Sequence, residues 1–327
     1  MIAAHDTESP VVRKRPADPA PAFGHPGDVD ACLALLAKGS KSFAAASRVL
    51  PRRVRDAAAV LYAFCRVADD AVDEGVEEDR VDRLRSRLAH VYAGRDLQGP
   101  VERAFADVVR LHALPIEIFE AMLEGFAWDA GGRSYETLSD VLAYSARVAS
   151  TVGAAMTAIM GKREPHMVAR ACDLGLAMQL TNIARDVGED AAMGRLYLPA
   201  EWLREEGVDP AAFLREPKPH PGVLRVVLRL LDEADALYER AGAGIAALPA
   251  DVRPAIYAAR FVYADIGRVI RTKGGDSVTS RAVVNHSRKA ALVWRALVTT
   301  WSAPGPALFE PPAREVEMLV RAVSQVR

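Results

Sequence analysis

Apolar positions recur along this chain at the three-and-four spacing of helices, not at the alternation of strands. The exception is the beginning, where prolines at 10, 16, 19, 21 and 26 are interspersed with charge. The pattern predicts a first helix capped by Asp28 and carrying Leu33 and Leu36. Pro51 opens the next, over 52–73. Further helices are expected over 77–93, 100–112, 115–130, 137–161 and 165–187, separated by glycine and proline punctuation. Pro199 starts a short helix, 215–222 reads as a surface linker, and helices over 223–247, 252–273, 280–301 and 313–326 complete the chain. No internal repeat is visible. The expectation is an all-α protein, with a disordered leader over 1–27 and a single domain over 28–327.

One stretch breaks the ordinary logic of such helices. Projected at about 100° per residue, Gln179, Asn182, Asp186 and Asp190 share a stripe about 80° wide. Leu176, Leu180, Ile183 and Ala184 face the other way, ready for burial. Carboxylates at i and i+4 repel and destabilise a bare helix, so a compensating cation is expected. A second such helix ends at residue 73. Tyr62, Arg66, Asp69 and Asp73 share a stripe about 60° wide, with Asp70 at its edge. Aspartates there also oppose the negative pole of the helix dipole. Acidic pairs such as Glu74/Glu78 and Asp235/Glu239 read as plain solvated surface, because they lack this setting. Two facing Asp-x-x-x-Asp helices offer hard oxygen ligands that suit Mg²⁺ or Mn²⁺ bridged to phosphate. Arg66 and Arg185 flank the motifs and can hold diphosphate oxygens. Metal ions on a diphosphate would make it a leaving group.

Composition narrows the alternatives. A net charge of −1 gives no electrostatic reason to expect nucleic acid. Cys32, Cys65 and Cys172 are far apart and read as reduced core residues of a cytoplasmic protein. The seven histidines form no metal-ligand spacing. No Walker-type loop is present, and Gly242-Ala-Gly244 lies in a helical stretch, so neither nucleotide motif applies. Neither a signal peptide nor a membrane-spanning run is evident; Val148 to Met160 is too short to cross a bilayer. The helix around 288–301 combines basic residues with Trp294 and Trp301. It reads first as a packing helix, with peripheral membrane contact as the second reading.

Several blocks together resemble the head-to-head prenyl synthases: squalene, dehydrosqualene and phytoene synthases. They are Ser40-Lys-Ser-Phe43, Leu61 to Asp73, Tyr144 to Gly153, Gln179 to Asp190, Gly194 to Pro199 and the Tyr257 to Gly267 helix. Ser47 to Pro51 and Asp276 to Arg281 look most like the bacterial phytoene-forming branch. One departure is Gly275, where relatives usually carry an aromatic residue. The resemblance implies the isoprenoid-synthase fold, a helical bundle around a central cavity. It implies condensation of two geranylgeranyl diphosphates through prephytoene diphosphate to phytoene, the first committed step of carotenoid biosynthesis. Asp69, Asp73, Asn182, Asp186 and Asp190 would then hold Mg²⁺ (or Mn²⁺), with no NADPH needed. Arg66, Arg185 and Gln179 would contact diphosphate, helped by Ser40, Ser42, Arg195 and Arg281. Phe43, Tyr62, Tyr144 and Tyr263 are candidates to line the cavity, and Tyr197 to bind diphosphate or cap it; Tyr62 and Arg66 also count as catalytic. Contact with other carotenoid-pathway enzymes belongs to the same expectation. Phe64 projects about 160° from the aspartate stripe and is assigned to the core.

Other readings remain open at this level. A squalene- or dehydrosqualene-forming enzyme would use farnesyl diphosphate in a shorter cavity. A chain-elongating prenyltransferase would share Asp69-Asp-Ala-Val-Asp73, but its second motif would repeat that pattern, unlike Asp186-Val-Gly-Glu-Asp190. A non-catalytic assembly factor of the same fold would be expected to lose the aspartates and arginines.

Overall fold

The computed structural model describes residues 23–39, 47, 49–73 and 80–326, and of Pro26 and residues 71–73 the backbone alone. Ser40, Ser42, Phe43 and the leader up to residue 22 lie outside the described residues. Among the described residues every regular element is helical. In chain order these are α1 (Pro26–Gly39), α2 (Arg52–Asp73), α3 (Arg80–Ala93), α4 (Pro100–Leu111) and α5 (Ile116–Ala130). Next come α6 (Leu138–Ser145), a π-helical turn (Ala146–Ser150), α7 (Thr151–Ile159), α8 (Pro165–Ala192), α9 (Ala200–Glu205) and α10 (Pro210–Arg215). The remainder is α11 (Pro221–Ala247), α12 (Arg253–Thr272), α13 (His286–Thr299), 3-10 turns at Pro306–Phe309 and Arg314–Val316, and α14 (Glu317–Gln325). The all-α expectation holds.

α8 is buried around much of its circumference, Arg170 and Asp173 included, because neighbours surround it. It packs against α7, α11, α12 and α14 and the π-helical turn. α2 buries one face, with Val54, Ala57, Val60, Leu61 and Phe64 in the core. Phe64 stacks on Phe105 of α4 at 3.8 Å and meets Phe119 of α5 edge-on at 5.8 Å. Its assignment to packing is therefore correct. Such ring pairs contribute about 0.5–1.5 kcal/mol beyond area burial.

Several boundaries differ from expectation for identifiable reasons. Asp28 is not a cap: it lies inside α1, and its carboxylate accepts bonds of 2.7 and 2.9 Å from Arg103 of α4. The long helix expected over 137–161 is interrupted by the π-helical turn, where Ser150 Oγ donates to the Cys172 carbonyl at 2.8 Å. Thr137 starts α6 with a reciprocal capping box to Asp140. α8 continues past Gly188 to Ala192. The helix expected over 280–301 starts only after Asn285, which accepts the Arg288 N–H at 2.8 Å. It buries Leu292 and Ala296, yet leaves Trp294 68% exposed, and Trp301 just past its end 87%, so packing employs only part of the apolar surface here. Among the described residues no helix is long and apolar enough to cross a membrane.

Candidate active site

A cavity of about 360 Å³ lies between α2, α7, α8, α11 and α12. Its wall is largely hydrocarbon, including Leu61, Val152, Met156, Leu174, Ile245 and Ile256. One end is polar: Tyr62 comes from α2, Gln179 and Asn182 from α8, and Tyr263 from α12. Tyr263 is within electrostatic reach of Tyr62, Arg185, Asp186 and Arg281, so this end is where both aspartate helices arrive. Burial raises the pKa of both phenols and keeps them protonated.

The α8 motif is dry and tightly organised. Arg185 holds Asp186 through two bonds of 2.5 and 2.7 Å, and Arg281 adds a contact of 2.9 Å. Asn182 donates to Gln179 Oε1 at 3.3 Å, while its own Oδ1 is buried without a partner. Burial, reinforced by Asp186, pushes the Asp190 carboxyl up to about 7. An orphaned amide oxygen one helical turn before the Asp186 carboxylate, with Asp190 a further turn on, is a row of hard oxygen donors that a cation would satisfy. The residues therefore fit a divalent metal.

Arg281 reaches this motif because a loop is moored to the helix. The Asp276 carboxylate accepts the Val278 and Thr279 N–H groups at 3.0 Å each, tightening the turn. The Gly188 N–H donates to the Ser277 carbonyl at 3.0 Å. A Cβ at Gly188 would stand 2.3 Å from the Val278 carbonyl oxygen, so the loop can lie here only against glycine. Gly188 was overlooked in the sequence, although a glycine midway between two carboxylates of one helix is a signal of close backbone approach. Gly275 has φ +90° and its Cβ would meet the Leu224 carbonyl at 2.6 Å, so an aromatic side chain has no room at this position.

The α2 motif is looser. Arg66 grips Asp70 at 2.7 and 3.2 Å and reaches Asp69 at 3.7 Å, with all three about half exposed. Asp73 ends the helix, and its side chain lies outside the described residues. Among the described residues no three carboxylate, histidine or cysteine groups converge on one metal position. The two halves of the expected clamp thus face one cavity end without closing on a point.

Tyr144 departs from its expected place on the cavity wall, and Tyr197, expected to bind diphosphate or cap the cavity, sits beside Tyr144. Neither lines the cavity; their hydroxyls donate to the two oxygens of Asp129, each at 2.7 Å. With Tyr135 their rings form a stack at 5.0–5.6 Å. Burial raises the pKa of both phenols, which remain donors. Tyr197 and Arg195 line a second pocket of about 260 Å³ with Trp128 and Asp129. Asp129 and Arg195 both act electrostatically on Asp190, which places this pocket behind the α8 motif. Asp129 was missed from sequence, although it carries the same signal as the motifs, a carboxylate in the last turn of an apolar helix.

Comparison with known proteins agrees with this arrangement. The family model for squalene/phytoene synthase matches residues 36–294. A phytoene synthase of Rhodobacter capsulatus is 53% identical over 305 residues, covering 91% of this chain and 90% of that protein. A phytoene synthase of Cereibacter sphaeroides is 51% identical over 317 residues, covering 92% and 89% respectively. Among solved structures, a dehydrosqualene synthase superposes with a TM-score of 0.76 at 32% identity, covering 82% of this chain and 95% of that one.

Proposed function

The chain belongs to the squalene/phytoene synthase family of prenyltransferases, and within it we propose a phytoene synthase joining two geranylgeranyl diphosphates head to head. One observation carries the reaction class: a hydrocarbon-walled cavity whose polar end is made by the two aspartate-bearing helices. Such a shape accommodates an isoprenyl tail and leaves its diphosphate among cations. The twenty-carbon substrate is supported by identity above half, over nine-tenths of the chain, to relatives named phytoene synthase.

The protein's own groups have definable tasks. Arg185 and Arg281, already paired with Asp186, are positioned to share their donors with a diphosphate as it arrives. Arg66 does the same from α2. The apolar wall keeps water from an allylic cation, and the ring faces of Tyr62 and Tyr263 offer it electron density. Asn182, Asp186 and Asp190, with Asp69 and Asp73, would hold Mg²⁺, which when bound supplies Lewis-acid neutralisation of the leaving diphosphate. No hydride is required for phytoene, so NADPH has no task here. The exposed Trp294 and Val298, on a helix with Arg288, Lys289 and Arg295, and the exposed Trp301 just past its end support peripheral contact with a lipid surface that holds substrate and product.

The test is product analysis. Purified protein with Mg²⁺ and geranylgeranyl diphosphate should release diphosphate and form a C40 hydrocarbon by mass spectrometry. Farnesyl diphosphate is run in parallel. A C30 product alone, or no turnover with either, would overturn the reading.

A further inference from the structure

The end of the cavity opposite the aspartates contains a residue that a hydrocarbon pocket would not be expected to tolerate. Arg170 lines the cavity, and its side chain is wholly buried. Gln179 and Asn182 sit at the polar end of the same helix. From Asn182 back to Arg170, twelve helical rises span about 18 Å, so Arg170 lies toward the far end of the tail-binding space, with Met167 a turn beyond. Its guanidinium faces away from that space. It pairs with Asp173, also wholly buried, at 2.9 Å. It also donates to the carbonyls of Ala307, Glu310 at 3.1 Å and Pro311 at 3.4 Å. Those carbonyls belong to the strap between α13 and α14. Arg240 of α11 fastens the same strap, donating to the Pro311 carbonyl at 2.7 Å and to Asp173 at 3.1 Å. What Arg170 presents to the cavity is its aliphatic stem, backed by Gly244: a Cβ there would stand 2.3 Å from the Arg170 Cβ.

We propose that Arg170, held against the C-terminal strap by Asp173 and Arg240, is the end stop that sets the longest isoprenyl tail the cavity admits. This rests on the reading of the cavity as the tail-binding space, and it assigns chain-length selection to a specific side chain. The logic is mechanical. A floor of packed methionine alone would yield by rotamer changes, since Met is unbranched and adaptable. A stem whose head is tied to three carbonyls and a carboxylate does not swing aside, so one further isoprene unit meets a fixed wall. Discrimination by a single methylene is already worth about 10–200-fold in a well-packed pocket.

The experiment compares kcat/KM for farnesylgeranyl diphosphate (C25) and geranylgeranyl diphosphate (C20) in wild type, Arg170→Ala and Arg170→Met. Truncation to Ala should raise the C25-to-C20 ratio at least about 10-fold. Arg170→Met keeps most of the stem but loses every tether, so it should raise the ratio in the same direction as Ala. Asp173 retains Arg240 in both variants, so neither leaves it unpaired. A folded Arg170→Ala with an unchanged ratio overturns the proposal, as does a folded Met variant that keeps the wild-type ratio. Should Arg170→Ala fail to fold, Arg240→Gln loosens the strap from outside the cavity and must raise the ratio in the same direction; no change overturns the end stop. If wild type uses only farnesyl diphosphate, the twenty-carbon reading fails by itself. The same variants are then scored on the C20-to-C15 ratio, which tests the end stop independently.

Discussion

The two aspartate helices carry the same sequence device and meet opposite surroundings. On α8, Asp186 is 16% exposed and held by two arginines, and Asp190 is buried enough to hold its proton near neutrality. On α2, Asp69 and Asp70 are half exposed and share one arginine. The α8 side is therefore preorganised before any ligand arrives, with its electrostatic cost already offset by Arg185 and Arg281. The α2 side is solvated and gains its organisation from what binds. An identical i,i+4 pattern thus describes a fixed wall in one place and an adaptable one in the other.

The sharpest way to break that comparison is to remove one carboxylate from each side. Asp186→Ala and Asp69→Ala should both lower turnover by on the order of 10³-fold, the cost of losing a charge-stabilising group. Their stabilities should diverge. Asp186→Ala takes from Arg185 its bidentate carboxylate and leaves Arg281 with Glu189 alone, and should cost about 1–3 kcal/mol in denaturant unfolding, whereas the half-exposed Asp69 should cost within about 0.5 kcal/mol. Equal stability losses would remove the distinction between a preorganised and a solvated half.

Next in size is Gly188→Ala. In an exposed helix this change would stabilise by up to about 1 kcal/mol. Here the added Cβ must displace the Val278 carbonyl and with it the loop that delivers Arg281. Stability should fall, and the KM for diphosphate substrate should rise on the order of 10-fold, the loss of a charge-assisted contact worth about 1.5 kcal/mol. Wild-type kinetics in this variant would show that the loop does not position Arg281.

Ligand linkage comes third. Mg²⁺ with inorganic diphosphate at about 100 times its Kd should stabilise the fold by about 2.7 kcal/mol, a melting shift of about 4 °C. Asp186→Ala should abolish the shift. No shift in wild type at saturating ligand would leave the paired helices without their common ligand.

The smallest effect concerns the aromatic shelf behind α8. Tyr144→Phe and Tyr197→Phe each remove one hydrogen bond to Asp129 and should cost about 1 kcal/mol. Because both bond one carboxylate, the double variant should depart from the sum of the singles. Strict additivity in a thermodynamic cycle would show that Asp129 does not couple them.

The periodicity of the chain determined the helices and both motifs, because burial on a 3.6-residue repeat is a local property that the order of residues records directly. It also determined that Gln179, Asn182, Asp186 and Asp190 share one face and that Phe64 belongs to the core. Tertiary structure alone decided which partners those faces meet. Tyr197 and Tyr144 turn to Asp129, a residue about seventy and fifteen positions away, and not to the cavity. Arg281 crosses ninety-five positions to reach Asp186 through a loop that only Gly188 admits. The far end of the cavity is closed by carbonyls near residue 310 on an arginine at 170. Such contacts depend on where the chain returns in space, and a hydrogen bond has no preference for sequence distance. A local pattern can therefore mark Gly188 or Asp129 as unusual, but not name the residue each one meets.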